Sequence, residues 1–282
     1  MSIYKNVLIT GAGSGLGRAL AILYAKSAEN IFLCGRNFEN LQQTKNLCLK
    51  NLCLAKSLHS DFVANIHLKI LDVKDQFASY NWIEEIEQNH ALDLVIANAG
   101  ISAGTALGSE SHTQVSEIFQ TNIMGVINII QPAIEKMTKR NSKTNSTKNY
   151  GHIAIISSLA GFVALPSSPS YSASKVAVRF YGNALRLSLE ESGVGVSVVC
   201  PGYIKTPMTA VNNFKMPFLM EVDKASKIIF NGLENKRAQI IFPRALYYAI
   251  SLLNWLPNFC QDFILKKLPK KSQLNYELNK NQ

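Results

Sequence analysis

Short apolar runs alternate with longer stretches of helical periodicity along most of the chain. The runs that predict strands are rich in β-branched and aliphatic residues, as in strands buried on both faces, and they are Asn6–Thr10, Asn30–Gly35, Ile66–Leu71, Leu92–Ala97, Gly151–Ser157, Gly195–Cys200 and Gln239–Phe242. The stretches that predict helices are Gly17–Ser27, Phe38–Asn51, Gln76–Gln88, Ser111–Thr138, Tyr171–Ser192 and Asp223–Leu233. This alternation predicts an α/β fold, with a doubly wound parallel sheet of about seven strands and helices on both faces.

The domain organisation follows from the same pattern. No linker interrupts the alternation, so residues 1–242 are predicted to form a single domain. The polar stretch Lys139–Tyr150 joins a helix to a strand and is interpreted as a surface loop. Residues 243–282 form an extension outside the repeating pattern, as part of the same domain or of a subunit interface.

The extension begins with an apolar segment, Ala245–Leu256, which Pro257 ends. A segment of this length is too short to span a bilayer, so packing over the domain or at a subunit interface is the favoured interpretation. The alternative is peripheral contact with a membrane surface. It rests on large apolar side chains followed by lysines, namely Leu252, Leu253, Trp255, Leu256, Phe259 and Phe263, then Lys266, Lys267, Lys270 and Lys271.

Composition narrows the class of protein. With 47% hydrophobic and 17% charged residues among 282, the chain is typical of a globular protein with a sizeable core. Its five cysteines are scattered, without metal-ligand spacing, so we expect no metal site and a reducing, cytoplasmic location. Because the first strand is predicted to begin close to Met1, we expect no signal peptide. The net charge is +10, but the basic runs contain neither aromatic residues that could stack on bases nor an element that could read a base sequence. This disfavours nucleic-acid binding.

A glycine-rich turn joins the first predicted strand to the first predicted helix. The sequence Thr10-Gly-Ala-Gly-Ser-Gly-Leu-Gly17 fits the spacing G-x-x-x-G-x-G through Gly11, Gly15 and Gly17. Glycines at such a turn let the backbone approach a pyrophosphate at a helix N-terminus. The turn and the alternation around it therefore predict a dinucleotide site in a Rossmann-type fold.

The end of the second predicted strand bears on the type of dinucleotide. Folds that prefer NAD place a carboxylate there for the ribose 2′-hydroxyl, whereas this chain has Arg36 and no acid. An arginine can pair with the 2′-phosphate of NADP. NADP(H) is therefore the predicted cofactor, with NAD(H) as the alternative.

Tyr171 and Lys175 lie four residues apart at the start of a predicted helix. Residues at this spacing share a helix face, so the ammonium can favour ionisation of the phenol. Ser158 comes thirteen residues earlier, at the end of a predicted strand. Because ligands of open parallel sheets bind beyond the carboxyl ends of the strands, the three side chains are expected to meet at the cofactor site.

These motifs together resemble the short-chain dehydrogenase/reductase family. The turn at Thr10–Gly17, Asn98-Ala-Gly100, Ser158, Tyr171-x-x-x-Lys175 and Pro201-Gly202 occur in the family's order and approximate spacing, over roughly residues 5 to 242.

The resemblance implies catalytic roles for individual residues. It makes Tyr171 the general acid/base, Lys175 the group that lowers the Tyr171 pKa and binds the nicotinamide ribose, and Ser158 the ligand of the substrate oxygen, with Ser157 as its alternative. Asn122 would support a water-mediated proton relay. The cofactor-binding residues that it implies are Gly11, Ser14, Gly15, Leu16, Gly17, Arg36, Asp72, Val73, Asn98, Ala99, Gly100, Tyr171, Lys175, Pro201, Gly202, Ile204 and Thr206.

The predicted function is an NADP(H)-preferring oxidoreductase that interconverts a ketone or aldehyde and an alcohol by hydride transfer. Apolar residues after Pro201-Gly202, including Met208 and Phe214, suggest a lid over a hydrophobic small-molecule substrate. A homo-oligomer, dimer or tetramer, is expected. The alternative is a non-catalytic dinucleotide-binding or redox-sensing protein.

Overall fold

Seven parallel strands form one sheet in the computed structural model, which describes residues 2–56, 64–105, 108–144, 151–269 and 271. The sheet order is β3-β2-β1-β4-β5-β6-β7. The strands are β1 (Asn6–Thr10), β2 (Asn30–Gly35), β3 (Asn65–Ile70), β4 (Leu94–Ala97), β5 (Gly151–Ile156), β6 (Val194–Pro201) and β7 (Gln239–Phe242). The predicted doubly wound sheet is confirmed, with every predicted strand present to within two residues at each end.

Two hydrophobic cores lie on opposite faces of the sheet. Side chains alternate along a strand, so neighbouring positions in β1 serve different cores: Val7 and Ile9 face one, and Leu8 faces the other. All four residues of β4 are buried. Burial on both faces explains why these strands are continuous apolar runs in the sequence.

Helices cover both faces. The α-helices are α1 (Gly15–Tyr24), α2 (Phe38–Lys56), α3 (Gln76–Asn89), α4 (His112–Phe119), α5 (Gly125–Thr144), α6 (Pro169–Ser188), α7 (Pro207–Ala210), α8 (Val222–Glu234), α9 (Arg244–Trp255) and α10 (Asn258–Leu265). The short helix α7 and the final helix α10 were not predicted. Part of the predicted Lys139–Tyr150 loop is the last turns of α5, and residues 145–150 lie outside the described residues.

The predicted helix Ser111–Thr138 is not continuous. A π-helical turn, Gln120–Met124, separates α4 from α5. The Asn122 side chain at its centre is held on both sides, by the backbone of Ile101 and by Ser174. Such wide turns are rare and are frequently found at functional sites.

The described part of the extension, residues 243–269 and 271, packs against the domain. Helix α9 packs beside β7 and a 3-10 helix, Leu159–Phe162, to whose last carbonyl the Asn254 amide donates at 2.6 Å. Within the described part of the chain, no helix has the length and apolarity needed to cross a bilayer. The boundary between residues 242 and 243 stays a prediction.

A buried histidine in β5 should make the fold sensitive to acid. Ser197 donates its hydroxyl to the Arg237 carbonyl and accepts from Nε2 of His152 at 2.8 Å. Burial, assisted by the charge of Lys236, lowers the pKa of His152 to about 4. Between pH 6.5 and 4 only the unfolded chain binds this proton, so the contribution of His152 to stability is lost as pH falls through that range, by about 3 kcal/mol in total.

Urea unfolding as a function of pH measures this effect. We expect His152→Gln to flatten the fall in unfolding free energy between pH 6.5 and 4, whereas His112→Gln, at an exposed position of α4, should follow the wild type. Parallel curves for wild type and His152→Gln would contradict the assignment.

Candidate active site

A cleft of about 410 Å³ lies at the carboxyl ends of the strands. It opens beside β1 and β4, whose helical connections run to opposite sides of the sheet. Open α/β sheets bind their ligands at such a switch point. The predicted site residues line this cleft with two exceptions, Gly17 and Asn122, which lie behind lining residues.

The glycine turn needs its glycines for two different reasons. Gly11 and Gly15 have φ values of +63° and +50°, a region that side chains disfavour. Gly17 has an ordinary backbone, but a Cβ there would overlap the Gly11 carbonyl oxygen and lie 2.6 Å from the Asn98 side-chain nitrogen. The turn is therefore shaped both by backbone conformation and by close packing against β4.

The beginning of α1 faces the cleft. Ser14 occupies the N-cap and makes no side-chain cap hydrogen bond, and Leu16 follows it along the lining. The Arg18 guanidinium supports the turn from behind, donating to the carbonyls of Gly13 and Asn40. A helix N-terminus beside a glycine turn has the polarity and the backbone access that a pyrophosphate requires.

Thr10 and Asn98 join the glycine turn to the end of β4. The Thr10 hydroxyl oxygen accepts hydrogen bonds from the backbone N–H groups of Asn98 and Ala99, at 3.0 and 2.9 Å. The Asn98 amide donates to the Thr10 carbonyl at 2.9 Å. Asn98 was a predicted residue, whereas the role of the Thr10 hydroxyl was missed, although Thr10 begins the glycine-rich motif.

The ends of β2 and β3 carry Arg36 and Asp72. Both line the cleft with Val73, and Arg36 is exposed. The Asp72 carboxylate accepts from the backbone N–H of Lys74 at 3.0 Å and lies 3.7 Å from the Lys74 ammonium. A cation and an anchored carboxylate thus lie on the same side of the glycine turn.

Ser157 and Ser158 differ in what their hydroxyls contact. Ser157 is buried and donates to the carbonyl of Lys175 at 2.8 Å. Ser158 is only half-buried: its oxygen accepts from the Ala160 N–H at 3.1 Å, its hydroxyl has a longer contact of 3.4 Å with the Pro201 carbonyl, and it hydrogen-bonds with Tyr171. The structure therefore favours Ser158 over Ser157 as the hydroxyl that can meet a ligand.

Tyr171 and Lys175 lie on one face of α6, as their spacing predicts. The Lys175 ammonium is 5.8 Å from the centre of the Tyr171 ring and donates to the Ile156 carbonyl at 3.0 Å. Burial lowers the Lys175 pKa to about 8, so the group is mostly charged at neutral pH. Burial also raises the pKa of Tyr171, and the Ser158 hydrogen bond acts in the opposite direction. That Lys175 lowers the Tyr171 pKa therefore stays a prediction.

Asn122 connects the π-helical turn to two neighbouring segments. Its Oδ1 accepts from the Ile101 N–H at 2.8 Å, and its Nδ2 donates to the Ile101 carbonyl and to Ser174 Oγ, at 2.9 and 3.0 Å. A Cβ at Gly100 would lie 3.2 Å from Asn122 Oδ1 and 3.5 Å from Lys175 Nζ. The amide and the ammonium therefore approach the same glycine.

The segment after β6 covers the cleft. Pro201, Gly202, Ile204 and Thr206 line it, and Ile204 pairs with Met220 in an isolated parallel bridge that closes the intervening loop. Met208 and Phe214, which were predicted to belong to a lid, line the cleft. Phe218 and Leu219, further along the same segment, are exposed. The loop is thus partly lid and partly surface.

The residues present fit a nicotinamide dinucleotide. The glycine turn leaves backbone accessible where a Cβ would obstruct it, and a cationic side chain lies at that end of the cleft. A phenol, a hydroxyl and a buried ammonium lie at the other end. Among the described residues, no cluster of His, Cys, Asp or Glu could hold a metal ion.

Comparison with known proteins identifies the class. The short chain dehydrogenase family model matches residues 5–216. An uncharacterized oxidoreductase of Myxococcus xanthus is 33% identical over 94% of this chain and 98% of its own length. The chain therefore belongs to the short-chain dehydrogenase family, and the prediction of an oxidoreductase of this family is confirmed.

Two solved structures share the fold. A short-chain dehydrogenase from Sphingobium yanoikuyae in complex with NADPH has a TM-score of 0.72 at 19% identity, covering 97% of this chain and 99% of that one. A short-chain dehydrogenase/reductase from Burkholderia phymatum in complex with NAD has a TM-score of 0.74 at 23% identity, covering 96% and 98%. At these identities the likeness establishes the fold.

Proposed function

We propose that this protein is an NADP(H)-preferring oxidoreductase that interconverts a ketone or aldehyde and an alcohol. One observation carries the proposal. The Ser158 hydroxyl, the Tyr171 phenol and the Lys175 ammonium converge at one end of a cleft whose other end is the glycine turn and α1. Bound NADPH and NAD in two neighbours of the same fold support a nicotinamide cofactor.

Each catalytic side chain has a task that its position allows. The bound cofactor supplies or accepts the hydride. In the reducing direction the Tyr171 phenol donates its proton to the carbonyl oxygen, which becomes the alcohol oxygen, and in oxidation it takes that proton back. Ser158 hydrogen-bonds the same oxygen and stabilises the charge that develops on it.

Lys175 and Asn122 support the proton transfer. The Lys175 charge is proposed to favour the phenolate form of Tyr171 during turnover and to bind the nicotinamide ribose. Asn122, which approaches Gly100 together with Lys175, is proposed to hold a water-mediated proton relay to solvent. The same amide keeps the Ile101 backbone and Ser174 in place, so its removal should loosen this part of the site.

Arg36 is the residue on which the NADP(H) preference rests. It lines the cleft at the end of β2, where no carboxylate occupies the position that would select NAD. A charge-assisted pair with the 2′-phosphate contributes an affinity difference of about 10- to 100-fold. We expect Arg36→Ala to raise the NADPH dissociation constant by that factor and to leave the NADH constant unchanged, measured by nicotinamide fluorescence. Equal changes for both cofactors would contradict the preference.

The substrate is proposed to be apolar. The part of the cleft beyond Tyr171 is lined mainly by aliphatic and aromatic side chains, many from the extension, and these are Leu159, Val163, Leu165, Met208, Phe214, Leu246, Ile250, Leu253, Ile264, Leu265 and Leu268. A largely apolar lining with a few polar groups is typical of small-molecule sites.

Two exposed apolar surfaces suggest two kinds of contact. On α6, Phe180 and Leu187 are 61% and 62% exposed, and Val176 lies one turn earlier on the same side. We propose this stripe as the interface of a homo-oligomer. The second surface, named here the tail face, consists of the exposed residues Tyr248, Leu252, Trp255, Phe259 and Phe263 of α9 and α10.

The tail face is proposed to contact a membrane surface. Trp255 and Phe259 are 89% and 75% exposed, and the exposed Lys266 and Lys267 follow α10. Apolar side chains flanked by lysines are typical of interfacial binding to anionic lipid. The opposite side of α9 lines the cleft, so an apolar substrate could enter from the lipid.

A crossed experiment separates the two surfaces. We expect Trp255→Glu with Phe259→Glu to abolish co-sedimentation with phosphatidylserine-containing vesicles and to leave the oligomeric mass unchanged in light scattering. Phe180→Glu should lower the oligomeric mass and leave co-sedimentation with the vesicles unchanged. If the tail variant lowers the mass and does not alter vesicle binding, the tail face is a subunit interface and the membrane proposal is wrong.

A further inference from the structure

Lys271 brings a second ammonium group into the active-site cleft. Beyond α10 the chain returns to the site, and Lys271 Nζ donates to the Ser102 hydroxyl at 2.6 Å. The same nitrogen lies 5.5 Å from the centre of the Tyr171 ring, a distance close to that of Lys175 on the same ring. In the sequence, this lysine belongs to the cluster that suggests contact with a membrane surface.

Gly104 allows the chain to pass at this point. A Cβ at Gly104 would overlap the Lys271 carbonyl oxygen and lie 2.5 Å from the Lys271 Cβ. The φ angle of Gly104 is not positive, so its backbone conformation does not require glycine. Glycine is needed here because a side chain would occupy the space taken by Lys271. The position of Lys271 therefore depends on a specific close contact with the loop after β4.

The charge of Lys271 has no acidic partner within the described residues. No Asp or Glu there lies within ion-pair distance of its ammonium, which contacts a hydroxyl and an aromatic ring. Burial lowers its pKa to about 8, which leaves most of the population charged at neutral pH. Lys271 is half-buried, and withdrawing a charge from water is costly unless the charge is paired, so an anion would stabilise this position.

The surroundings define what kind of anion fits. Leu265, Leu268 and Pro269, which precede Lys271, line the same cleft, as do Leu253 and Ile264. A ligand that satisfies both features has an apolar body and one anionic group. That group would lie beside Tyr171, where the reacting carbonyl is expected.

We propose that Lys271 and Ser102 form an anion subsite, and that the substrate is an apolar keto acid or the corresponding hydroxy acid. Lys271 binds the carboxylate through a charge-assisted hydrogen bond, while Ser158 and Tyr171 hold the carbonyl oxygen. Lys271 is thus a specificity-determining residue. The inference rests on the proposed function for its reaction, and its binding component can be measured without turnover.

Steady-state kinetics with a matched pair of substrates test the specificity. The pair is a straight-chain aliphatic keto acid and its methyl ester, which differ in charge and share the ketone. We expect the wild type to prefer the acid, and Lys271→Met to lose about 10- to 100-fold in kcat/KM on the acid, mostly through KM, with the ester within about twofold. Lys271→Arg should keep most of the preference. Equal losses on both substrates, or none, would overturn the subsite.

Calorimetric binding provides a readout that does not need catalysis. With oxidised cofactor present, decanoate is expected to bind wild type more tightly than decanamide, which is uncharged and has no alcohol to oxidise, and Lys271→Met should weaken decanoate binding alone. Unchanged decanoate binding in Lys271→Met would refute the subsite even if ketones are reduced. Selective loss of decanoate binding in a protein that reduces no ketone would support the subsite and count against the proposed reaction.

The placement of Lys271 and its choice of ligand can each be checked separately. Gly104→Ala should reproduce the selective loss on the keto acid by displacing Lys271, whereas Gly108→Ala, where a Cβ meets nothing within 4 Å, should behave as wild type. Wild-type behaviour of Gly104→Ala would contradict this placement of Lys271.

NADPH affinity should be unchanged in Lys271→Met. A fall in that affinity would indicate that the lysine binds the cofactor phosphates and not the substrate.

Discussion

Tyr171→Phe is expected to lower kcat about 100- to 10,000-fold, the range that general acid–base catalysis contributes. The change removes only the phenolic oxygen, so the ring and its contacts on α6 should remain. Ser158 would lose its contact with Tyr171 but keep its hydrogen bonds with the Ala160 N–H and the Pro201 carbonyl. Cofactor binding should change little, because the glycine turn lies at the other end of the cleft. Initial rates of NADPH oxidation with a reactive ketone, together with fluorescence titration of NADPH, measure both quantities.

Tyr181→Phe is the matched control for this variant. Tyr181 lies ten residues further along α6, where its hydroxyl pairs with the Gln131 side chain outside the cleft. The same chemical change there should leave kcat unaltered. Comparable kcat values for wild type and Tyr171→Phe would rule out Tyr171 as the proton donor.

Gly17→Ala is expected to reduce both stability and cofactor affinity. The added methyl group would overlap the Gly11 carbonyl oxygen and the Asn98 side-chain nitrogen, so the turn or the end of β4 must move. Overpacking of this kind costs about 1 to 3 kcal/mol of unfolding free energy. A shifted turn should also weaken NADPH binding by at least about tenfold, because the backbone no longer approaches the pyrophosphate correctly.

Thermal unfolding and NADPH titration check the two effects together. Gly108→Ala adds the same methyl group where nothing lies within 4 Å, and should leave both unchanged. If Gly17→Ala binds NADPH as the wild type does, the glycine turn is not the pyrophosphate site.

Much of the fold could be predicted because each strand carries its own signal. Runs such as Asn6–Thr10 are apolar on both faces of the strand. Such continuous apolar runs are typical of a sheet that is covered by helices on both sides. The π-helical turn around Asn122 could not be predicted in the same way. It depends on hydrogen bonds to Ile101 and Ser174, which are distant in sequence, whereas local periodicity there is that of an ordinary helix.

Predictability of the site depended on how local each motif is. Gly11, Gly15 and Gly17 lie within seven residues, and Tyr171 with Lys175 within about one helical turn, so their geometry follows from short-range rules. The choice between Ser157 and Ser158 was indicated by spacing, and the structure adds that the Ser157 hydroxyl is engaged with the Lys175 carbonyl.

Lys271 shows where sequence reasoning stops. A cluster of lysines near a chain end is usually a solvated surface, and composition alone supports that interpretation. Its approach to Ser102, 169 positions away, depends on the turn after α10 and on the space left at Gly104. No periodicity in the sequence indicates such a contact.

Isotope transfer tests the central claim most directly. The protein is incubated with NADPH that carries deuterium at C4 of the nicotinamide, in separate samples for each face, and with an aliphatic ketone. We expect one of the two samples to yield alcohol with one deuterium on the carbinol carbon, detected by mass spectrometry, and Tyr171→Phe to form far less of it. Alcohol without deuterium from either sample, or NADPH that binds while no ketone is reduced, would contradict the assignment of this protein as a carbonyl–alcohol oxidoreductase.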